Sequence, residues 1–193
     1  MRHGKLSLTI PVKPPAFRQP WAPAPYTLHM PIAVAVFIVL ADQLTKWLVV
    51  RSLPLYNEPV PVALGFHLTH TRNTGAAFGF LHGWSLGPLT GTTLLTIFSV
   101  AASAYIVYVL YTHGPALGAL VRVALGMILG GAVGNIIDRV LHGYVTDFVH
   151  FKVGSFEFAI FNLADSAVVV GAILILVASL LTPTRTPNSD PGP

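Results

Sequence analysis

The stretch of residues 126–139 has the sequence GMILGGAVGNIIDR, which combines a glycine repeat with polar and charged residues at its end. Its glycines at 126, 130 and 134 fall on one face of a helix, and such a stripe lets a second helix approach closely within a membrane. Asn135, Asp138 and Arg139 also share one face, because residues three and four apart on a helix are neighbours. Two interpretations stay open: a clamp in which Asp138 pairs with Arg139, or a site lined by Asn135 and Arg139.

This stretch belongs to one of four apolar segments, each near the roughly 20 residues that a membrane-spanning helix needs. The segments are about Pro31–Val50, Thr92–Tyr111, Ala116–Ile137 and Ala159–Leu181. Of the 193 residues, 53% are hydrophobic and 9% are charged, whereas a soluble domain carries roughly 25% charged residues. The sequence therefore predicts an all-α membrane protein with four transmembrane helices, in one domain over residues 30–181.

The segments outside the spans are polar or rich in proline. Residues 1–29 hold four basic residues, no acid and six prolines, which predicts a flexible basic tail because proline interrupts helices. Residues 182–193 predict a second, disordered tail. An even number of spans puts both termini on one side, and the positive-inside rule places that side in the cytoplasm. The long connections 51–91 and 138–158 would then face outward.

These outward connections carry apolar residues at every second position, a pattern typical of β-strands. The pattern occurs at Phe66–Leu68, Val149–Val153 and Phe156–Phe158. Between the last two, Gly154-Ser155 suits a two-residue type II′ hairpin turn with glycine first. We expect a small outward-facing β-strand subdomain at the membrane surface, with aromatic residues such as Trp84 at the interface.

Four of the seven acidic residues lie within the predicted spans or at their outer ends; they are Asp42, Asp138, Asp147 and Asp165. Ionisable groups there are costly, and they face the interior of the bundle or a water-filled cavity. Asp42 and Lys46 are four residues apart on the first helix and can pair. We interpret them as a neutralised pair that ties this helix to its neighbours.

Asp147 and Asp165 differ because neither has a cation nearby in the sequence. The first follows the outer end of the third span and the second lies in the first turns of the fourth, so both should lie at similar depth. Two carboxylates within a few ångströms tend to share one proton. In an aspartic peptidase the ionised partner takes a proton from water and the neutral one donates to the scissile carbonyl. A proton relay or a substrate counter-ion would use the same residues.

Other kinds of chemistry find less support. The chain has no cysteine, which excludes disulfides, thiolate metal sites and cysteine nucleophiles. It also has no G-x-S-x-G elbow and no phosphate-binding glycine-rich loop. The histidines on the outward side would admit a metal ion, but no H-E-x-x-H motif is present. We interpret them as loop histidines and expect no metal and no cofactor; they are His67, His70, His82, His142 and His150.

Five short blocks occur in a fixed order along the four spans. They are DQLTK at 42–46, RNTGAAFG at 72–79, GGAVGNIIDR at 130–139, VTDF at 145–148 and FNLADS at 161–166. Together they resemble the motif set of the bacterial lipoprotein signal peptidases (signal peptidase II). The resemblance covers about residues 31–181 and leaves the N-terminal tail unassigned.

The resemblance implies an aspartic endopeptidase of the bacterial cytoplasmic membrane. Such an enzyme removes the signal peptide of a prolipoprotein by cutting just before the diacylglyceryl-modified lipobox cysteine, near the outer face. Carried over by motif, Asp147 and Asp165 would be the catalytic pair. The residues that would line the site and orient the pair or the substrate are Asn73, Asn135, Arg139 and Asn162. Those with mainly structural roles would be Asp42, Lys46, Gly75 and Asp138.

The alternative is a small proton- or ion-coupled transporter that uses the same aspartates as a relay. Such transporters usually show internal repeats and interrupted spans, and the sequence has neither. A non-catalytic scaffold would not need unpaired aspartates within a membrane. The expected partners are diacylglyceryl-modified prolipoproteins and membrane lipid, without nucleic acid, and we expect a monomer.

Overall fold

The computed structural model describes residues 28–75, 85–87 and 89–181. Four long α-helices occur within these residues: α1 (His29–Ser52), α2 (Gly91–Thr112), α3 (Ala119–His142) and α4 (Leu163–Leu181). Each is long and apolar enough to cross a membrane. The predicted all-α architecture of four spans is confirmed. The predictions for the two tails and for Trp84 fall outside the described residues.

Short antiparallel strands lie at the end of the bundle where α1 and α3 finish and α2 and α4 begin. They are β1 (Val60–Ala63), β2 (Phe66–Asn73), β3 (Ser85–Leu86), β4 (Leu89–Thr90), β5 (Val145–Val153) and β6 (Phe156–Glu157). The main sheet has the order β1-β2-β5-β6, and β3 pairs with β4. The small β-subdomain is thus confirmed, although the sequence did not predict β1, β3 or β4, and β6 ends before Phe158.

The predicted hairpin turn joins β5 to β6. Val153 pairs with Phe156 across a two-residue turn. The first turn residue, Gly154, has φ +59°, and positive φ does not extend to Ser155. This is the combination that a type II′ turn requires.

Three helix ends differ from the prediction by more than two residues. Helix α3 begins at Ala119 rather than Ala116, because Gly114–Ala116 form a separate short 3-10 helix. Helix α3 continues past Ile137 to His142, and it stops at Gly143, whose left-handed φ of +77° is a common helix terminus. Helix α4 starts at Leu163, later than expected, because the residues before it pair with β5. Phe161 exchanges backbone hydrogen bonds with Val149 at 2.8 and 3.0 Å, so this short segment is held against the sheet.

The glycine stripe of α3 packs against α1, so the close helix contact that the sequence predicted is with α1. A Cβ atom added at Gly126 would lie 2.6 Å from the carbonyl oxygen of Pro31, and one at Gly130 would lie 2.7 Å from that of Ala35. The opposite side of α3 meets α4, where a Cβ atom at Gly171 would lie 2.8 Å from a backbone oxygen of α3. Helix α3 therefore lies at the centre, with α1, α2 and α4 packed around it.

Candidate active site

A cavity of about 590 Å³ lies where the sheet meets α3 and α4. One side of its lining is polar and includes Asn73, Asn135, Arg139, Asp147 and Asp165. The other side is apolar and includes Phe158, Ile160 and the valines at 168–170. Five of the residues predicted for the site thus face one common space. A space of this size with few convergent polar groups is typical of a ligand site.

Asp147 lies on β5, and only 2% of its surface is exposed. Its Oδ2 accepts a hydrogen bond from Asn73 Nδ2 at 2.9 Å, and its Oδ1 accepts one from Asn162 Nδ2 at 2.7 Å. Asn73 reaches it because Thr71 pairs with Asp147 across the sheet, which makes Asn73 a diagonal neighbour. Burial, and then the negative charge of Asp165, raise the pKa of Asp147 to about 7, although both amide donors oppose this shift.

Asp165 lies in the first turn of α4 and is half-buried. Its Oδ1 accepts a hydrogen bond from Asn135 Nδ2 at 2.8 Å, and its Oδ2 accepts one from the backbone N–H of Asn162 at 3.2 Å. The backbone N–H of Asp165 in turn donates to Asn162 Oδ1 at 2.9 Å. This reciprocal arrangement is a capping box with aspartate in the usual place of glutamate. It fixes Asp165 at the helix N-terminus, which favours an acidic side chain.

Asn162 connects the two aspartates. It is completely buried, and its Nδ2 donates to Asp147 Oδ1 at 2.7 Å and to Asn135 Oδ1 at 3.1 Å. Its backbone and side-chain oxygen hold Asp165 at the same time. The two carboxylates are therefore held by one residue: the side chain of Asn162 binds Asp147, and its backbone N–H binds Asp165. Asn162 itself is not among the residues that line the cavity.

Asp138 and Arg139, at the end of α3, have different surroundings. Asp138 lies 3.1 Å from Lys46 Nζ and accepts a hydrogen bond from the backbone N–H of Thr146 at 3.0 Å. Arg139 instead lines the cavity with Asn135. The clamp between Asp138 and Arg139 is wrong, because adjacent residues on a helix point in different directions. The interpretation of Asn135 and Arg139 as lining residues agrees with their positions.

The predicted pair of Asp42 and Lys46 is confirmed, with Oδ2 and Nζ 2.8 Å apart. Sequence reasoning missed Gln43, which lies between them in the same block. Its Nε2 donates to Asp42 Oδ2 at 3.2 Å and to Asp138 Oδ1 at 3.0 Å. The sequence did contain a signal for Gln43: it is an amide next to Asp42, and a buried carboxylate needs hydrogen-bond donors. The second partner of Gln43, Asp138 on α3, is too distant in sequence to be predicted in this way.

Gly75 lies beside the cavity, and its backbone N–H donates to Asn73 Oδ1 at 2.9 Å. This bond orients the Asn73 side chain, whose Nδ2 faces Asp147. The rest of the RNTGAAFG block, residues 76–79, lies outside the described residues. Gly75 therefore supports the position of a lining residue and also borders the cavity itself.

Four of the histidines interpreted as loop residues lie in regular structure. For His67 and His150 this agrees with the predicted strands, whereas His70 and His142 correct the prediction. His67 and His70 are on β2, His150 is on β5 and His142 ends α3; His82 is outside the described residues. His70 lies in β2 because this strand continues to Asn73, beyond the predicted run that ended at Leu68, and His142 lies in α3 because that helix continues past Ile137. Among the residues that the structure describes, no three histidine or acidic side chains gather closely enough to hold a metal ion.

Comparison with known proteins gives consistent matches along the chain. A sequence profile described as signal peptidase (SPase) II matches residues 34–181. The chain is 41% identical over 159 residues to the lipoprotein signal peptidase of Bacillus pumilus (strain SAFR-032), covering 81% of this chain and 96% of that relative. It is 41% identical over 169 residues to the lipoprotein signal peptidase of Cupriavidus taiwanensis, covering 86% and 91%.

Solved structures agree with these relatives. A bacterial membrane enzyme structure at 31% identity superposes with a TM-score of 0.72, covering 86% of this chain and 96% of that chain. A second gives 0.69 at 32% identity, covering 82% and 97%. The matches do not support the transporter alternative. Since the family profile extends from α1 to the end of α4 and includes both Asp147 and Asp165, this chain belongs to the signal peptidase II family, the bacterial lipoprotein signal peptidases.

Proposed function

We propose that Asp147 and Asp165 are the catalytic pair of this lipoprotein signal peptidase, an aspartic endopeptidase that removes signal peptides from prolipoproteins. The observation that carries the proposal is the bridging by Asn162, which holds both carboxylates at the wall of one cavity. Neither aspartate has an ion-pair partner among the described residues. A shared proton is the ordinary way to accommodate two such groups.

The surroundings support different roles for the two aspartates. Asp147 is nearly inaccessible, and its raised pKa of about 7 lets it keep a proton close to neutral pH. Asp165 is more exposed and lies at a helix N-terminus, where a carboxylate is favoured. We assign the proton to Asp147 and the negative charge to Asp165.

Hydrolysis then follows with balanced proton transfers. Asp165 removes a proton from water as the water oxygen attacks the scissile carbonyl, and Asp147 donates its proton to the carbonyl oxygen. When the tetrahedral intermediate collapses, Asp165 gives its proton to the leaving nitrogen. Asp147 recovers a proton from the hydroxyl that becomes the new carbonyl. No covalent intermediate and no cofactor take part.

The remaining polar side chains of the cavity orient the pair and the substrate. Asn73 and Asn135 from the cavity lining, together with the fully buried Asn162, hold the carboxylates through the hydrogen bonds already described. The guanidinium of Arg139 forms no ion pair with a described residue and lies within electrostatic range of both carboxylates. Its fixed fork of donors suits backbone carbonyls of the substrate. The mainly structural roles of Gly75 and of Asp42, Lys46 and Asp138 remain part of this proposal.

The apolar wall supports a lipid-modified substrate. Phe158, Ile160 and the valines at 168–170 face the same cavity as the aspartates, so acyl chains and an apolar signal peptide would lie beside the reacting bond. We place both termini in the cytoplasm and the active site near the outer face, where a translocated prolipoprotein presents its cleavage site. Residues 30–181 form the peptidase domain in this proposal, between the tails 1–29 and 182–193, and the enzyme acts as a monomer.

The direct test uses purified protein and a diacylglyceryl-modified prolipoprotein. We expect two products, of which the larger begins at the modified cysteine and has lost the mass of the signal peptide. The same prolipoprotein without its lipid is the matched control and should be cut much more slowly. An intact lipidated substrate after incubation with folded protein would contradict the proposal.

A further inference from the structure

Three buried charged side chains lie next to the catalytic pair and take no part in the steps described above. Asp42, Lys46 and Asp138 have exposed fractions of 0, 4 and 2%. Lys46 Nζ lies 2.8 Å from Asp42 and 3.1 Å from Asp138, and it donates to Asn135 Oδ1 at 2.9 Å. All three ammonium hydrogens thus have acceptors. Burying charges is costly even when they are paired, so apolar packing would join the helices at lower cost.

The two carboxylates of this cluster hold the backbone directly in front of each catalytic aspartate. Asp42 Oδ1 accepts a hydrogen bond from the backbone N–H of Ala164, the residue before Asp165, at 3.0 Å. Asp138 Oδ2 accepts one from the backbone N–H of Thr146, the residue before Asp147, also at 3.0 Å. Lys46 lies between these carboxylates. The separation of the two catalytic aspartates therefore depends on where Lys46 holds Asp42 and Asp138.

A second connection passes through Asn135. The amide oxygen of Asn135 accepts from Lys46 Nζ, and the amide nitrogen of Asn135 donates to Asp165 Oδ1 at 2.8 Å. A cation at the amide oxygen polarises the amide and strengthens the bond that its nitrogen donates. The positive charge of Lys46 also lowers the pKa of Asp147, against the stronger effects of burial and Asp165.

We propose that Lys46 is a positioning residue for catalysis, which fixes the separation of the two aspartates through Asp42, Asp138 and Asn135 and places a positive charge near Asp147. This inference rests on the proposed function. Lys46 does not line the cavity, so it acts through Asn135, Asp42 and Asp138 rather than on the substrate. The charged groups that Lys46 contacts or acts on are Asp42 from α1, Asp138 from α3 and Asp147 from β5. Asp165 from α4 and Arg139 from α3 interact in turn with Asp147.

The test compares Lys46→Met with Gln43→Leu in the full-length protein. Lys46→Met removes the positive charge, so we expect kcat to fall while KM for the lipidated prolipoprotein stays within about twofold. The limb of the pH–rate profile that reports Asp147 should move to higher pH by roughly half a unit or more. Gln43→Leu removes donors to the same Asp42 and Asp138 carboxylates without a change of charge. Gln43→Leu should lower the unfolding temperature and leave the pH of the Asp147 limb unchanged.

Two further variants complete the test. Lys46→Arg keeps the charge, and its limb should stay near that of the unaltered protein even if the larger head group lowers kcat. If Lys46→Met does not fold, Lys46→Gln takes its place, because it also removes the positive charge but keeps an amide that can donate hydrogen bonds within the cluster. A limb that does not move in the charge-removing variant, or that moves equally in Gln43→Leu, overturns the inference. The proposed function would still stand as long as Asp147→Asn is inactive. An active Asp147→Asn would contradict both the proposed function and the inference about Lys46.

Discussion

Asp147 and Asp165 each accept a hydrogen bond from Asn162, and both carboxylates take part in the proposed proton transfers. Asp147→Asn and Asp165→Asn keep the size of each side chain and remove the proton that the pair shares. We expect each to lower the cleavage rate by roughly 100-fold to 10,000-fold, the usual range for loss of a general acid or base. The measurement is the initial rate of signal-peptide release from a lipidated prolipoprotein at equal amounts of folded protein. Glu58→Gln is the control, since Glu58 is exposed outside the cavity, and it should cleave normally.

The pH dependence follows from the assignment of the proton to Asp147. Its pKa is raised to about 7 by burial and by the charge of Asp165. The protonated form is the one that donates to the scissile carbonyl, and it is lost as the pH rises through this value. We therefore expect kcat to decline on the alkaline side of about 7. A profile of kcat against pH checks this, and a rate that instead rises through neutral pH would assign the proton to Asp165.

For single residues, the sequence motifs identified the members of the site better than they identified the contacts of each member. Asn162 was predicted as a lining residue, but its bridging of Asp147 and Asp165 depends on β5 and α4 coming together. The hydrogen bonds of Gln43 to α3 join residues 91 and 95 positions apart. Side-chain spacing on one helix indicates which residues share a face. It cannot indicate which residue of another helix lies opposite.

At the scale of elements, the glycine stripe of α3 determines how closely α1 packs. A Cβ atom at Gly130 would lie 2.7 Å from the carbonyl oxygen of Ala35, so Gly130→Ala requires the α1 backbone to move. We expect a loss of about 1–3 kcal/mol in the free energy of unfolding, as for other overpacked sites. Gly118→Ala is the matched control, because a Cβ atom there meets nothing within 4 Å. Thermal or denaturant unfolding in detergent measures both, and equal stability of the two variants would contradict this account of the stripe.

The elements themselves were predictable where one physical rule dominates. Length and hydropathy located all four spans, because a helix that crosses lipid needs about 20 apolar residues. The start of α4 was misplaced because Phe161 pairs with β5, a contact that hydropathy does not record. Strand β1 was missed since its sequence, Val60–Ala63, contains a proline and lies at the edge of the sheet. Edge strands tolerate proline, so the residue is a weak signal there.

At the scale of the whole molecule, the sheet, the cavity and both aspartates lie at one end of the helix bundle. This follows from the connections: α3 ends before β5, and α4 begins after β6. The substrate's cleavage site must reach that end after translocation. The direction in which the bundle crosses the membrane is therefore a requirement of the proposed function, and it can be measured without any assay of cleavage.

Orientation is predicted from the four basic residues of the N-terminal tail, which favour the cytoplasm. Single cysteines introduced at Ser7, Ser85, Thr112 and Ser189 report on each side, and the native chain contains no cysteine that would interfere. In intact cells, a membrane-impermeant thiol reagent should label only the cysteine at 85, which is exposed beside the sheet end of α2.

Permeabilised cells provide the control, because all four positions should then react. Labelling of intact cells at 7 or 189, without labelling at 85, would place the aspartates on the cytoplasmic side. A site there would meet the signal peptide only before translocation, when the cleavage site has not yet reached the outer leaflet. Such a result would be incompatible with the proposed hydrolysis of translocated prolipoproteins, even if Asp147 and Asp165 were both essential, since the carboxylates and their substrate would lie on opposite sides of the membrane.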